Sequence, residues 1–576
     1  MATPKINDLA PKPLASDLEI ARQATLKPIA EIAEKLGIAA GTIEPYGHDV
    51  AKIPLEAIEH LAVNQRAKYV VVSAVTPTPL GEGKTTTSVG LAQGFHHINR
   101  TATVSLRQPS MGPTFGIKGG AAGGGWSQVV PMERINLHLT GDIHAVSAAH
   151  NLLSAMVDNH LFHGNAAGID PSQVAWRRVM DINDRGLRQI VTGLGGKANG
   201  LPAETGFDIT AASEVMAVLA LADSFEDLRR RLGRIVVGWT PGGEPVTAED
   251  IKCAGAMAVL LKEAIKPNLM QTIENTPVLV HAGPFGNIAH GNSSIIADQV
   301  GIYGSDFLVT EAGFGADMGA ERFFNIKCRA SGMAPDAAVL VATVRGLKVH
   351  SGKHRVVAGK PLPEGMLAES PEDVQLGASN LRKQIENIRL HGVPVVVAIN
   401  AFPTDFDSEH AVIAAVAEEM GAVARVCTHV RDGGAGAADL AEAVAQAAEQ
   451  GGQYAPLYPS EQPLSEKIEC IATRVYGAEG IDLSPLAKRQ LEAFAEAGYA
   501  HLPVCIAKTH LSLSSDPALR GAPTGWRMPV REARLSAGAG FVYVLCGTIP
   551  TMPGLGSHPA AESIDINEMG DIEGLF

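Results

Sequence analysis

The residues Thr78-Pro79-Leu80-Gly81-Glu82-Gly83-Lys84-Thr85 carry the sharpest chemical signature in the chain. They follow a short apolar run, Tyr69–Val75, and precede the helical pattern Thr86-Thr87-Ser88-Val89-Gly90-Leu91-Ala92. A GxxxxGK[ST] phosphate loop works in this context, because backbone N–H groups and a helix N-terminus then face the phosphates. Lys84 is placed to reach the β- and γ-phosphates, and the Thr85 hydroxyl is the candidate Mg²⁺ ligand. Thr78 stands where the pattern has its first glycine. No Asn-Lys-x-Asp run is present, and Asn400-Ala401-Phe402-Pro403 is not one, which favours ATP over GTP.

Arg107 is a second candidate. It ends the next apparent strand, Thr101–Leu106, and strand C-termini in a parallel sheet point into the ligand crevice. A guanidinium there is suited to charge developing on a transferring phosphoryl group. Gln108 follows it, and then the loop Gly116–Trp126, with glycines at 119, 120, 123, 124 and 125. Such a backbone can approach a ligand closely, and Lys118 places a cation beside it. The loop lacks GxGxxG spacing, so it is not a dinucleotide fingerprint. Glu311, at another strand end, is placed to touch Mg²⁺ through water.

These residues need a scaffold. Short β-branched runs recur at 69–75, 101–106, 278–281, 306–310, 338–344 and 393–399, with helical segments between several of them. That alternation predicts an α/β fold with a large parallel sheet covered on both faces. Residues 16–36, 56–67, 143–160 and 210–233 read as helices, the last two as an insertion or flank. Proline and glycine at 359–371 and 450–463 mark candidate linkers. The expected division is a P-loop domain over 1–365 with a helical insertion near 143–250, a second α/β domain over 366–465, and a C-terminal domain over 466–576.

Composition narrows the partners. The 47 Lys and Arg against 61 Asp and Glu give a net charge of −14, which argues against duplex nucleic acid and anionic membranes. No stretch approaches the roughly 18–20 apolar residues of a membrane helix. The N-terminal residues resemble neither a signal nor a transit peptide, so a cytoplasmic protein is expected. Six dispersed cysteines form no CxxC pair, which points to neither a disulfide framework nor a zinc knuckle. His160 and His163 lack a third ligand nearby and read as ordinary helical residues.

The motifs TPTPLGEGKTTT (76–87), RQPSMGPTFGIKGGAAGGGW (107–126), HAGPFGNIAHGNSS (281–294), VATVRGLKVHSG (341–352), NAFPTD (400–405) and TMPGLGSHPAA (551–561) together resemble the formate–tetrahydrofolate ligase family. The match runs in family order along nearly the whole chain. The resemblance implies ATP-dependent ligation of formate to N10 of tetrahydrofolate through formyl phosphate, with ADP and phosphate released. It implies Lys84 and Arg107 as catalytic residues, residues 78–85 as the ATP loop, and Gln108, Lys118, Gly119 and Gly120 as the formyl-phosphate loop. It also implies a homotetramer activated by a monovalent cation, K⁺ or NH₄⁺.

The sequence departs from the family at Gln108, usually Glu; at Trp126, usually Tyr; and at Gly346, usually Ala. The family clamps the pterin between a Phe and a Trp. Phe402 matches the Phe, and Val430 occupies the Trp position. Losing one stacking face is worth about 0.5–1.5 kcal/mol, so weaker folate binding is expected. Two other readings compete. A partner-driven ATPase switch of the nitrogenase iron-protein type shares a deviant phosphate loop, but carries an early lysine where this chain has Pro79 and Leu80. A catalytically impaired folate-binding relative would bear Gln108 and Val430 as its marks, yet Lys84, Thr85 and Arg107 are retained.

Overall fold

Each strand expected from an apolar run forms within two residues of its expected limits. The computed structural model describes residues 15–116, 122–357, 360–547 and 549–575. Its central sheet contains Lys68–Ala74 (β1), Ala102–Leu106 (β2), Asn268–Thr272 (β3), Pro277–Val280 (β4), Phe307–Glu311 (β5), Ala337–Ala342 (β6), Val395–Asn400 (β7) and Val423–Cys427 (β8). The order across the sheet is β3-β4-β2-β5-β1-β6-β7-β8. Every neighbouring pair from β4 to β8 is parallel, and β3 runs antiparallel to β4. Two short strands, Glu44–Pro45 and Ala51–Lys52, extend the β3 edge.

The continuous apolar runs follow from burial on both faces. Val70, Val72 and Ala74 of β1 enter one core with Val89, Leu91 and Phe95 of the helix Lys84–His97. Tyr69 and Val71 enter the opposite core with Val374, Leu381 and Ile385 of the helix Pro371–Arg389. A strand with period-two alternation but two dry faces has no position for a polar side chain to reach water.

Two expected helices are each broken once. Residues 16–36 form Asp17–Gln23 and Ile29–Lys35, separated at Pro28, which has no N–H to continue a helix. Residues 210–233 form Glu214–Leu221 and Phe225–Arg234; the Ser224 hydroxyl accepts the Asp227 N–H at 3.1 Å and starts the second. Strands β3 and β8 escape the sequence pattern for different reasons. β3 buries Asn268, Gln271 and Thr272, and β8 is an edge strand with mostly exposed side chains.

The boundary expected at 365/366 does not divide the sheet. β7 pairs with β6 from Ala338↔Val395 to Ala342↔Ile399, and β8 pairs with β7, so residues 366–465 share the ladder and both cores of the phosphate-loop segment. Nor is the expected linker at 359–371 free of packing. Met366 is buried, the Lys348 ammonium donates to the Met366 and Ala368 carbonyls, and Pro371 opens a long helix. Residues 457–546 supply most of a further core around Ile468, Ile471, Val504, Ile506 and Val544, which Met318 also enters.

The helical flank and this C-terminal unit meet at Glu214. Its carboxylate accepts the backbone N–H groups of Gly538 at 2.7 Å and Ala539 at 3.3 Å. Withdrawal from water pushes its pKa up to about 8, against the opposing pull of those two donors. The folded state therefore holds a proton there that the unfolded chain releases above the ordinary glutamate range. Stability attributable to this site is present below about pH 4.5 and is lost as pH rises toward 8. Glu214→Gln keeps an acceptor for both N–H groups and removes the ionisation. Thermal melts across pH 5–8 are expected to show a flatter decline in the variant than in the native protein.

Candidate active site

The phosphate loop leaves β1 at Ala74 and re-enters structure at Lys84. Gly83 caps the helix at φ 75°, in the left-handed region, and a Cβ there would sit 2.5 Å from the Asn400 Nδ2. Only glycine meets both conditions without displacing its neighbour. Thr78, in the first glycine's place, is a brace: its N–H and hydroxyl both donate to Glu82 Oε1, at 3.1 and 3.0 Å. The Thr343 hydroxyl donates to Glu82 Oε2 at 2.7 Å, and the Asn400 amide donates to the Glu82 carbonyl at 3.3 Å. The Glu82 side chain therefore points into the protein and shapes the loop from beneath. Burial raises its pKa, and the threonine donors and Lys84 oppose that.

Three neighbouring strands then deliver three groups to one point. Thr85 follows the loop of β1, Glu311 ends β5, and Arg107 follows β2. The Thr85 hydroxyl donates to Glu311 Oε2 at 2.7 Å, and Arg107 Nη2 lies 3.6 Å from Glu311 Oε1. Arg107 Nη1 donates to the Pro284 carbonyl at 3.3 Å, while its Nε is buried with no hydrogen-bond partner. A hydroxyl and a carboxylate side by side suit a hard cation that also takes phosphate oxygens. Among the described residues no group of three or more His, Cys, Asp or Glu is arranged to hold a metal ion. His160 accepts the Ala167 N–H at 2.9 Å and closes a local turn, and all six cysteines are free thiols.

Gln108 is buried beside Arg107. Its backbone N–H donates to the Ala282 carbonyl at 2.6 Å, and neither polar atom of its side-chain amide has a partner. Downstream, Asp181 accepts the Ser110 hydroxyl at 2.7 Å and the Met111 N–H at 2.9 Å, and burial lifts its pKa to about 6. Lys118, Gly119 and Gly120 lie outside the described residues.

The loop is bolted to the rest of the chain through Thr76. Asn380 accepts its N–H at 3.0 Å and donates to its hydroxyl and to the Gly521 carbonyl; Gln384 donates to the same hydroxyl and to Asp317. His350, with its pKa pushed down to about 4 by burial, is a neutral ring that donates to the Thr76 carbonyl at 2.7 Å. Lys508 of the C-terminal unit pairs with Asp317 at 3.3 Å. Each of these partners lies far from the loop in sequence, and none is marked by local spacing.

Phe402 and Val430 follow β7 and β8, adjacent parallel strands, and so share the edge used by the loop. Val430 belongs to the short helix His429–Asp432, which is pressed against the phosphate-loop helix: a Cβ on Gly90 would come within 2.8 Å of the His429 ring. The Trp126 N–H donates to the Val430 carbonyl at 2.9 Å, and the Ser127 hydroxyl donates to the His429 carbonyl at the same distance. The aromatic residue that closes the glycine-rich loop thus stands beside Val430. Thr343, Asn400 and Arg345 were not singled out as site residues by sequence; the first two are a helix cap and a strand end, positions where parallel topology concentrates ligand contacts.

Gly83→Ala tests the loop geometry. The left-handed backbone costs an alanine about 1–2 kcal/mol, and the methyl must move Asn400. In the free protein the alanine relaxes out of the left-handed region and must regain it to bind, so MgATP is expected to bind roughly five- to thirtyfold more weakly by calorimetry, with the thermal midpoint little changed.

Known proteins match the chain over nearly its whole length. The family model described as formate–tetrahydrofolate ligase matches residues 15–576. The chain is 67% identical over 560 residues to a formate–tetrahydrofolate ligase of Saccharopolyspora erythraea, covering 97% of this chain and 99% of that one. It is 64% identical over 571 residues to formate–tetrahydrofolate ligase 1 of Rubrobacter xylanophilus, covering 97% and 99%. It is 61% identical over 563 residues to the formate–tetrahydrofolate ligase of Cutibacterium acnes, covering 98% and 100%. With a phosphate loop, an arginine and an acidic strand end converging on one sheet edge, and with relatives matched end to end, the chain belongs to the formate–tetrahydrofolate ligase family.

Proposed function

We propose that the protein joins formate to N10 of tetrahydrofolate and consumes ATP, releasing 10-formyltetrahydrofolate, ADP and phosphate. The observation that carries this reading is the meeting of Thr85, Glu311 and Arg107 at the C-terminal edge of β1, β5 and β2. A formate oxygen attacks the γ-phosphorus, the bond to the β–γ bridging oxygen breaks, and ADP leaves. N10 then attacks the formyl carbon, phosphate departs, and N10 loses its proton.

In this proposal the backbone N–H groups of residues 81–85 cradle the phosphates, and Lys84 neutralises charge on the β- and γ-groups. Arg107 aims a guanidinium at the oxygens that gain charge in transfer, and its unpaired Nε gives it a further donor to spend. Thr85 and Glu311 would hold Mg²⁺, which when bound draws charge from the γ-phosphate oxygens. Gln108, with Lys118, Gly119 and Gly120, completes the formyl-phosphate loop. Phe402 offers a face to the pterin, and Val430 lines the same pocket without stacking. A homotetramer in the cytoplasm, activated by K⁺ or NH₄⁺, belongs to the same proposal; sedimentation and cation titration test those parts. Among the described residues no helix is long and apolar enough to cross a membrane.

The test mixes purified protein with MgATP, formate, K⁺ and tetrahydrofolate, then acidifies. Acid converts the product to the coloured methenyl form, read by absorbance. Native protein is expected to give the signal, Lys84→Ala none, and Arg107→Ala a rate lower by about 10³-fold or more. No signal from native protein at high folate overturns the proposal. Val430→Trp restores a second ring and is expected to lower the KM for tetrahydrofolate about two- to tenfold, with kcat unchanged.

A further inference from the structure

Arg345 lies inside the 341–352 motif. It is the second residue of the helix Val344–His350, immediately past the end of β6. The guanidinium carbon sits 4.0 Å from the centroid of the Phe402 ring, and Nη2 donates to the Thr404 hydroxyl at 3.0 Å. Its Nε is buried and has no hydrogen-bond partner. The turn that carries Phe402 is otherwise closed on itself: the Phe402 N–H donates to Asp405 Oδ2 at 2.9 Å, and the Asp405 N–H donates to the Phe402 carbonyl at 3.0 Å. Arg345 therefore ties this turn to the neighbouring helix.

That helix is also anchored to the phosphate loop. Its cap, Thr343, accepts the Gly346 N–H at 2.9 Å and donates to Glu82 at 2.7 Å. At 4.0 Å the guanidinium is already in stacking contact with the ring, so no third plane fits between them. One face of Phe402 is occupied, and a flat ligand is confined to the other.

We infer that Arg345 is a positioning residue for tetrahydrofolate: it covers one face of Phe402, holds Thr404, and leaves the opposite face as the stacking surface for the pterin. The inference rests on the reading of Phe402 as a folate contact made under the proposed function. The planar fork matters as well as the charge, because a lysine keeps the cation but neither stacks as a plane nor bridges to Thr404 in the same way.

Steady-state kinetics on the full-length protein test this, with Arg345→Met, Arg345→Lys, Phe402→Ala and the Arg345→Met/Phe402→Ala double variant. Arg345→Met is expected to raise the KM for tetrahydrofolate about five- to thirtyfold, with kcat within about twofold. The KM for ATP and the thermal midpoint stay at native values. Arg345→Lys falls between Arg345→Met and native, and the double variant is no worse than Phe402→Ala alone. If Phe402→Ala raises the folate KM and Arg345→Met does not, the inference is wrong and the folate reading stands. A rise in the KM for ATP, or a fall in kcat alone, also overturns it by moving Arg345 to the nucleotide side. If Phe402→Ala leaves the folate KM unchanged, the reading of Phe402 fails and the inference falls with it.

Discussion

Six consecutive parallel pairings, from β4 through β2, β5, β1, β6 and β7 to β8, send every strand's C-terminus to one edge of the sheet. The rest of the site depends on that constraint. Residues separated by hundreds of positions become neighbours because each follows a strand that ends at the same edge. Thr85, Arg107, Glu311, Thr343, Phe402 and Val430 are all placed by it. The chain winds outward in two directions from β1, toward β2 on one side and β6 on the other, and the phosphate loop sits where those directions part.

The loop keeps its shape through buried polar groups rather than apolar packing. Glu82 gathers Thr78 and Thr343, and Thr76 gathers Asn380, Gln384 and His350. Withdrawing a carboxylate or an amide from water is costly, so these groups persist where their donors and acceptors are matched. The same requirement explains the threonine in place of the loop's first glycine. Its hydroxyl and N–H both serve the Glu82 carboxylate, a role no glycine side chain can fill. Breaking one member leaves the others buried and unpaired, which is how a distant residue such as Asn380 bears on the shape of the loop.

The C-terminal unit supplies most of a further core, and it also takes part in the site's support. Gly521 accepts from Asn380, and Lys508 pairs with Asp317. The phosphate loop is therefore held from two sides, by the sheet it belongs to and by a unit added late in the chain. On the far side of the sheet edge, the close fit of His429 against Gly90 and the bond from Trp126 to Val430 tie the segment after β8 to the helix Lys84–His97.

Much of this was legible in the residue order alone. The strand runs were visible because strands dry on both faces are nearly continuously apolar, as Tyr69–Ala74 is apart from the small buried Ser73. The loop at 78–85 stood out because its signature is local: a turn, a cation and a hydroxyl within eight residues. Strand β3 was hidden by buried Asn268 and Gln271, whose partners lie elsewhere in the chain, and β8 by its exposed edge position. The division near residue 365 looked like a boundary because proline and glycine cluster there, whereas the ladder continues through β7. Sequence determined which residues could do chemistry, since that depends on side-chain type and short spacing. Tertiary structure alone decided which of them meet: that Glu82 faces inward, that Glu311 stands between Thr85 and Arg107, and that Arg345 lies on Phe402. Those contacts join residues 57 to 261 positions apart or follow from strand order, and no local pattern encodes a distance across a sheet.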